Sequence, residues 1–163
     1  MLVRLMQKAL PLLLLAMLAA CSASAPQTDP TPQKSTDVML VRLMESFEKT
    51  CIAHAPDFAD DPIAASFADN EPALDPSMTL LASNEVNRSC RYYVRGYDAN
   101  RAMPTEGDVN ALADALHARI GGSPRPKTPT TSAGGAQVRK DGTIYNIYAY
   151  VNPVGDLEIN VSR

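Results

Sequence analysis

The stretch QVRKDGTIYNIYAYVNPVGDLEINVS, residues 137–162, reads as three consecutive strands. Asp141-Gly142 is the dipeptide of a tight hairpin turn, because such a turn needs left-handed backbone that Asp and Gly tolerate. Gln137–Lys140 therefore folds back onto Thr143–Val151. Asn152-Pro153-Val154-Gly155-Asp156 turns the chain again, into Leu157–Ser162. In that last strand Leu157, Ile159 and Val161 face one way, and Glu158, Asn160 and Ser162 the other. Two reversals in succession give an antiparallel sheet with one apolar face to cover.

Upstream, Ser89–Arg95 alternates in the same manner: Cys90, Tyr92 and Val94 on one side, Arg91, Tyr93 and Arg95 on the other. Met78–Ala82 reads as its partner strand, with a turn over Asn84–Asn87. The cover comes from helices. Thr105 and Asp108 open one whose stripe is Val109, Leu112, Ala113, Leu116 and Ile120, and Gly121-Gly122 stops it. Asp37 caps another over about residues 38–54, with Leu40, Leu43, Met44, Phe47 and Cys51 on its apolar face. Asp61-Pro62 starts a short helix to residue 69, docked by Ile63 and Phe67. Residues 123–136, SPRPKTPTTSAGGA, read as a loose polar loop. The order α-α-β-β-α-β-β-β is an α+β domain over residues 37–163: a small antiparallel sheet with two main helices packed on one face. Strand order is not contained in this pattern.

The chain before the domain has a different character. Ser22–Thr36, SASAPQTDPTPQKST, has no Leu, Ile, Val or aromatic residue, so it cannot bury enough apolar surface to offset its ordering entropy. It reads as a disordered tether with a coil span of roughly 20 Å. Ahead of it, Arg4 and Lys8 form a positive n-region and Ala9–Ala20 an uncharged run of signal-peptide length, too short to span a membrane. The run ends in Leu18-Ala19-Ala20-Cys21, which resembles the lipobox of bacterial lipoproteins. The resemblance implies that residues 1–20 are cleaved and that Cys21 becomes a diacylglycerated, N-acylated terminus. Two or three chains anchor firmly where one does not, at about 0.8 kcal/mol per buried CH₂. Ser22 after the Cys resembles an outer-membrane sorting signal, which implies an envelope protein facing the periplasm. The string MLVRLM occurs at Met1–Met6 and again at Met39–Met44, in a signal peptide and then in an amphipathic helix, and is no structural repeat.

Cleavage removes Arg4 and Lys8 and no acid, leaving 13 bases against 18 acids, a formal −5. That balance excludes nucleic acid as a main partner, since phosphate binding needs clustered cations. It also leaves the lipid, not surface charge, to hold the protein at a membrane.

Beyond Cys21 there are two cysteines, and an exported address is oxidising, so Cys51 and Cys90 are expected to form a helix-to-sheet disulfide. A bridge would remove Cys51-Ile52-Ala53-His54 as a metal or thiol site. The six acids between Asp57 and Asp75 lack the alternation and sixth-position Gly of a calcium loop, so they read as a solvated face. No serine elbow, HExxH, P-loop or GxGxxG is present, and no cofactor or metal site is expected. The residues singled out for binding are Arg91, Tyr93 and Arg95, because Tyr and Arg favour binding hot spots. The expectation is a non-enzymatic, lipid-anchored envelope module that binds a protein or cell-wall partner or serves in assembly. The rival is an envelope hydrolase acting on peptidoglycan or a small substrate through carboxylates. The lipobox reading has a direct check: Cys21→Ala should leave the precursor uncleaved and move the protein out of the detergent phase on phase partitioning, and unchanged partitioning contradicts lipidation.

Overall fold

The computed structural model describes residues 33–85, 88–98, 100–126 and 134–163. The expected signal peptide, Cys21, most of the tether and residues 127–133 of the expected loop lie outside them. Helix α1 is Val38–Thr50, followed by a 3₁₀ turn at Ile52–His54, and α2 is Asp60–Asn70. Strands β1, Thr79–Glu85, and β2, Ser89–Arg95, precede α3, Glu106–Ile120. Then come β3, Ser123–Pro126, β4, Gly134–Lys140, β5, Thr143–Val151, and β6, Leu157–Ser162.

The strands form one sheet in the order β1-β2-β6-β5-β4-β3, each pair antiparallel. The last strand in sequence is thus central: β6 closes a hairpin with β5 and offers its other edge to β2. The α+β class, the helix-covered apolar face and the disulfide are as the sequence predicts. The expected five strands become six, because residues 123–126 pair with β4 instead of looping. Pro124 and Pro126 argue for a loop because they lack an N–H, but an edge strand leaves one row of backbone groups unpaired and accepts proline. Three boundaries also move. Helix α1 ends at Thr50 and tightens into the 3₁₀ turn, α2 starts at Asp60 without a side-chain cap, and β1 runs on through Asn84 and Glu85.

The apolar stripes meet in one core. Leu40, Leu43 and Phe47 of α1, Val109, Leu112 and Leu116 of α3, and Tyr92, Val94, Leu157, Ile159 and Val161 of the sheet are all buried. Tyr92 is the hinge of this layer. Phe47 and Phe67 meet its ring edge-on at centroid distances of 5.3 and 5.7 Å, a geometry worth about 0.5–1.5 kcal/mol per pair beyond burial. Its hydroxyl lies 2.9 Å from Ser46 Oγ, so the buried polar tip has a partner. One turn on from Phe47, Cys51 is bonded to Cys90, their Cα atoms 5.5 Å apart.

Both main helices are capped. Asp37 accepts from Leu40 N–H at 2.8 Å, and Thr105 and Asp108 form a reciprocal capping box. The tether enters the domain earlier than the sequence implies. Ser35 N–H donates to Asp108 Oδ1 at 2.9 Å and Thr105 Oγ1 donates to the Gln33 carbonyl at 2.7 Å, so residues 33–36 lie strapped across the start of α3. Gly107 permits this, since a Cβ there would stand 2.5 Å from the Gln33 carbonyl. Composition alone could not signal the strap, because it is held by backbone groups. Among the described residues no helix is long and apolar enough to cross a membrane.

The bridge closes 39 residues of separation. Replacing both Cys51 and Cys90 with Ala is expected to lower the unfolding free energy by about 2–5 kcal/mol. Peptide mass mapping of alkylated, unreduced protein should find neither cysteine modified; alkylation at both contradicts the bridge.

Candidate functional site

Directly paired residues of an antiparallel sheet share a face. The face with Cys90, Tyr92 and Val94 lies under the helices. The opposite face is built of two neighbouring rows. One runs Gly135, Tyr148, Asn160, Arg91, Ser83 across β4, β5, β6, β2 and β1. The next runs Tyr150, Glu158, Tyr93, Leu81 across β5, β6, β2 and β1. Alternation along β2 therefore brings Arg91, Tyr93 and Arg95 together on this helix-free face, with Arg91 and Arg95 exposed and Tyr93 half-buried.

At the centre, Glu158 and Asn160 are only 9% and 2% exposed although none of the helices among the described residues covers them. Neighbouring side chains provide the cover. Tyr148 donates its hydroxyl to Glu158 Oε1 at 3.0 Å and Tyr150 donates to Oε2 at 2.8 Å. From the other side, the Arg91 guanidinium stands 3.3 Å from Oε1. Both hydroxyls reach from β5 to a carboxylate on β6, so the two rings lean across the sheet and do not stand up from it. Their centroids are 5.8 Å apart and their planes tilted by 37°. Burying a carboxylate is costly unless it is paired and hydrogen-bonded, and Glu158 has both kinds of partner.

A second carboxylate network flanks the first. Tyr93 donates to Asp156 Oδ2 at 2.7 Å, Gly96 N–H to Oδ1 at 3.0 Å, and Asn152 Nδ2 to the Tyr93 hydroxyl at 3.4 Å. The Tyr93 hydroxyl and the Gly96 amide hold the Asp156 pKa below its ordinary value. The same carboxylate raises that of Tyr93. Burial, then the charge of Glu158, pushes Tyr148 up to about 12. The hydrogen bond to Glu158 is the main cause of a rise at Tyr150.

Asn160 is the exception to this satisfied network. Its Oδ1 is buried and has no hydrogen-bond partner. It lies in the row between Tyr148 and Arg91, and beyond Tyr148 that row ends at Gly135, which has no side chain.

Other sequence candidates disperse. Cys51 is in the bridge, so it serves neither as ligand nor as nucleophile beside His54. Among the described residues no group of three or more His, Cys, Asp or Glu is placed to hold a metal ion. Of the acidic run, Asp75 pairs with Arg101 and Asp60 accepts from Asn84. Sequence reasoning singled out Arg91, Tyr93 and Arg95 and gave no sign of Glu158 and Asn160 as their neighbours. Alternation places each on its own strand's outer side, but only the pairing of β6 with both β2 and β5 joins them. The chain was compared with protein-family models, with curated proteins and with solved structures, and it matches none of them.

The raised tyrosines have a consequence at alkaline pH. A group with a raised folded-state pKa contributes stability that is full below its unfolded value and lost as pH passes its folded value. Stability should therefore fall between pH 10.0 and about 12, and Tyr148 should be among the last rings to ionise. In Glu158→Gln, tyrosinate absorbance should show Tyr148 and Tyr150 ionising closer to 10.0; an unchanged titration curve contradicts the hub.

Proposed function

We propose that the protein is a lipid-anchored component of the bacterial cell envelope, held by Cys21, whose helix-free sheet face is a binding surface. The anchor rests on the n-region, the apolar run and Leu18-Ala19-Ala20-Cys21. The single observation behind the binding role is the outer face itself. It groups Tyr93, Tyr148, Tyr150, Arg91 and Arg95 in adjoining positions, with Leu81 beside them 43% exposed. Interfaces favour Tyr and Arg, which combine apolar area with a polar tip at small entropic cost. The rings are already fixed by Glu158, so little order remains to be imposed on binding.

The hydrolase alternative needs a carboxyl held protonated near neutrality. Asp156 moves in the opposite direction, and both oxygens of Glu158 are occupied by donors. These facts favour binding over acid–base chemistry on this face. The expected location is the outer membrane, facing the periplasm, with an envelope protein or the cell wall as partner.

Site-specific photocrosslinking in cells tests the surface. A photoreactive residue at Arg95, on the sheet face, should form adducts with envelope material, and one at Glu48, on the outer side of α1, should not. Adducts from position 48 alone place the binding surface on the helices and overturn the reading.

A further inference from the structure

We infer that the ligand of the outer sheet face is a glycan strand carrying carboxylates, laid across the row from Gly135 to Arg91. The inference rests on the proposal that this face binds, and it adds the chemistry of what is bound. Three features of the face ask for different things, and one ligand class meets all of them.

The first is the pair of leaning rings. Hydroxyl bonds from Tyr148 and Tyr150 to Glu158 draw both rings over the sheet, and both side chains stay half-buried there. Gly135, opposite Tyr148 on β4, places no side chain of its own against that ring. A platform of neighbouring rings offers contact to a flat ligand with a C–H-rich surface, which a pyranose ring has. The 5.8 Å centroid spacing is close to the length of one sugar ring.

The second is the orphaned acceptor. Burying a carbonyl oxygen without a partner is costly, and such a group in a native fold calls for an explanation. Asn160 Oδ1 sits in the floor of the same row, 2% exposed as a residue, beside Tyr148 and Arg91. Of the two neighbours in its row, Tyr148 is tied to Glu158 and Arg91 is exposed. A ligand that draws Arg91 aside finds an acceptor waiting for a donor. Sugar hydroxyls and acetamido N–H groups are donors of that kind.

The third is charge. The cleaved chain carries a formal −5, yet the sheet face collects Arg91, Arg95 and, from β4, Arg139. Of these three, only Arg91 makes an ion pair with a described residue. Arg95 stands exposed one row beyond Tyr93, and Arg139 stands exposed on β4 opposite Ile144, two rows beyond Tyr148 on the other side. An acidic protein that holds cations at the margins of an aromatic platform is complementary to an anionic ligand, and Arg is suited to bidentate recognition of carboxylates. A bare anion would not use the rings, and a neutral sugar would not use the arginines.

Calorimetric titration of the full mature lipoprotein in detergent tests this. The probe is soluble peptidoglycan disaccharide repeats with acidic stem peptides. The controls are the same fragments with amidated carboxylates and the acidic stem peptide without sugar. The fragments should bind, and each control should bind roughly tenfold more weakly or less. Arg95→Ala changes an exposed side chain and should weaken binding severalfold at an unchanged melting temperature. Tyr148→Ala should lose about tenfold or more, as at a truncated hot spot, while Tyr148→Phe, which keeps the ring but frees it from Glu158, should fall between Tyr148→Ala and the unaltered protein. Absence of fragment binding overturns the inference, as does equal binding of the sugar-free peptide, which marks a protein ligand. Either result leaves the binding-face reading standing if crosslinks still form from position 95; crosslinks from the helix side alone remove both.

Discussion

The structure turns on one constraint: β6 is an inner strand of a sheet whose helices, among the described residues, lie on one side only. Its residues Leu157 to Val161 are all buried, so alternation delivers Glu158 and Asn160 into cover that none of those helices supplies. The fold meets this with side chains. Two tyrosines lean over from β5 and an arginine from β2, and their polar ends converge on the Glu158 carboxylate. The outer face is thus a thin second layer made of rings and a guanidinium. Its order follows from the need to neutralise and solvate one buried charge.

On the inner side the same sheet is held by the apolar core and by specific ties to β2. Ser46 and Phe47 of α1, and Cys51 just beyond its end, make these ties through a hydroxyl, an edge-on ring pair and a disulfide. Helix α3 is held separately, by its apolar stripe and by the strap of residues 33–36 over its first turn. Any lipid at Cys21 therefore connects to the domain through a strap that begins near the capping box of α3.

Much of this was legible because period and punctuation carry it. Alternation in Ser89–Arg95 and Leu157–Ser162 sorted inward from outward residues, Asp141-Gly142 fixed a hairpin, and the stripes of α1 and α3 named the core. The pairing of Cys51 with Cys90 followed from two cysteines beyond Cys21 and from the expectation of an oxidising address. What could not be read is non-local. The docking of β6 against β2 depends on which edge is free once two hairpins have formed, and no residue signals it. The strand at 123–126 was hidden because proline marks a loop and an edge strand alike. The site was legible to the extent that it lies on β2; Glu158 and Asn160 look like ordinary solvent-side residues until both neighbouring strands are in place.

The six tyrosines divide evenly, which gives the account its most direct test. Tyr92, Tyr97 and Tyr145 are buried in the core, and Tyr93, Tyr148 and Tyr150 form the outer platform. Ring-selective NMR of the mature protein, titrated with soluble peptidoglycan fragments, reads all six at once. The account predicts that the signals of Tyr93, Tyr148 and Tyr150 shift with saturation while those of Tyr92, Tyr97 and Tyr145 stay in place. Shifts confined to the core rings, or spread evenly over all six, would contradict it.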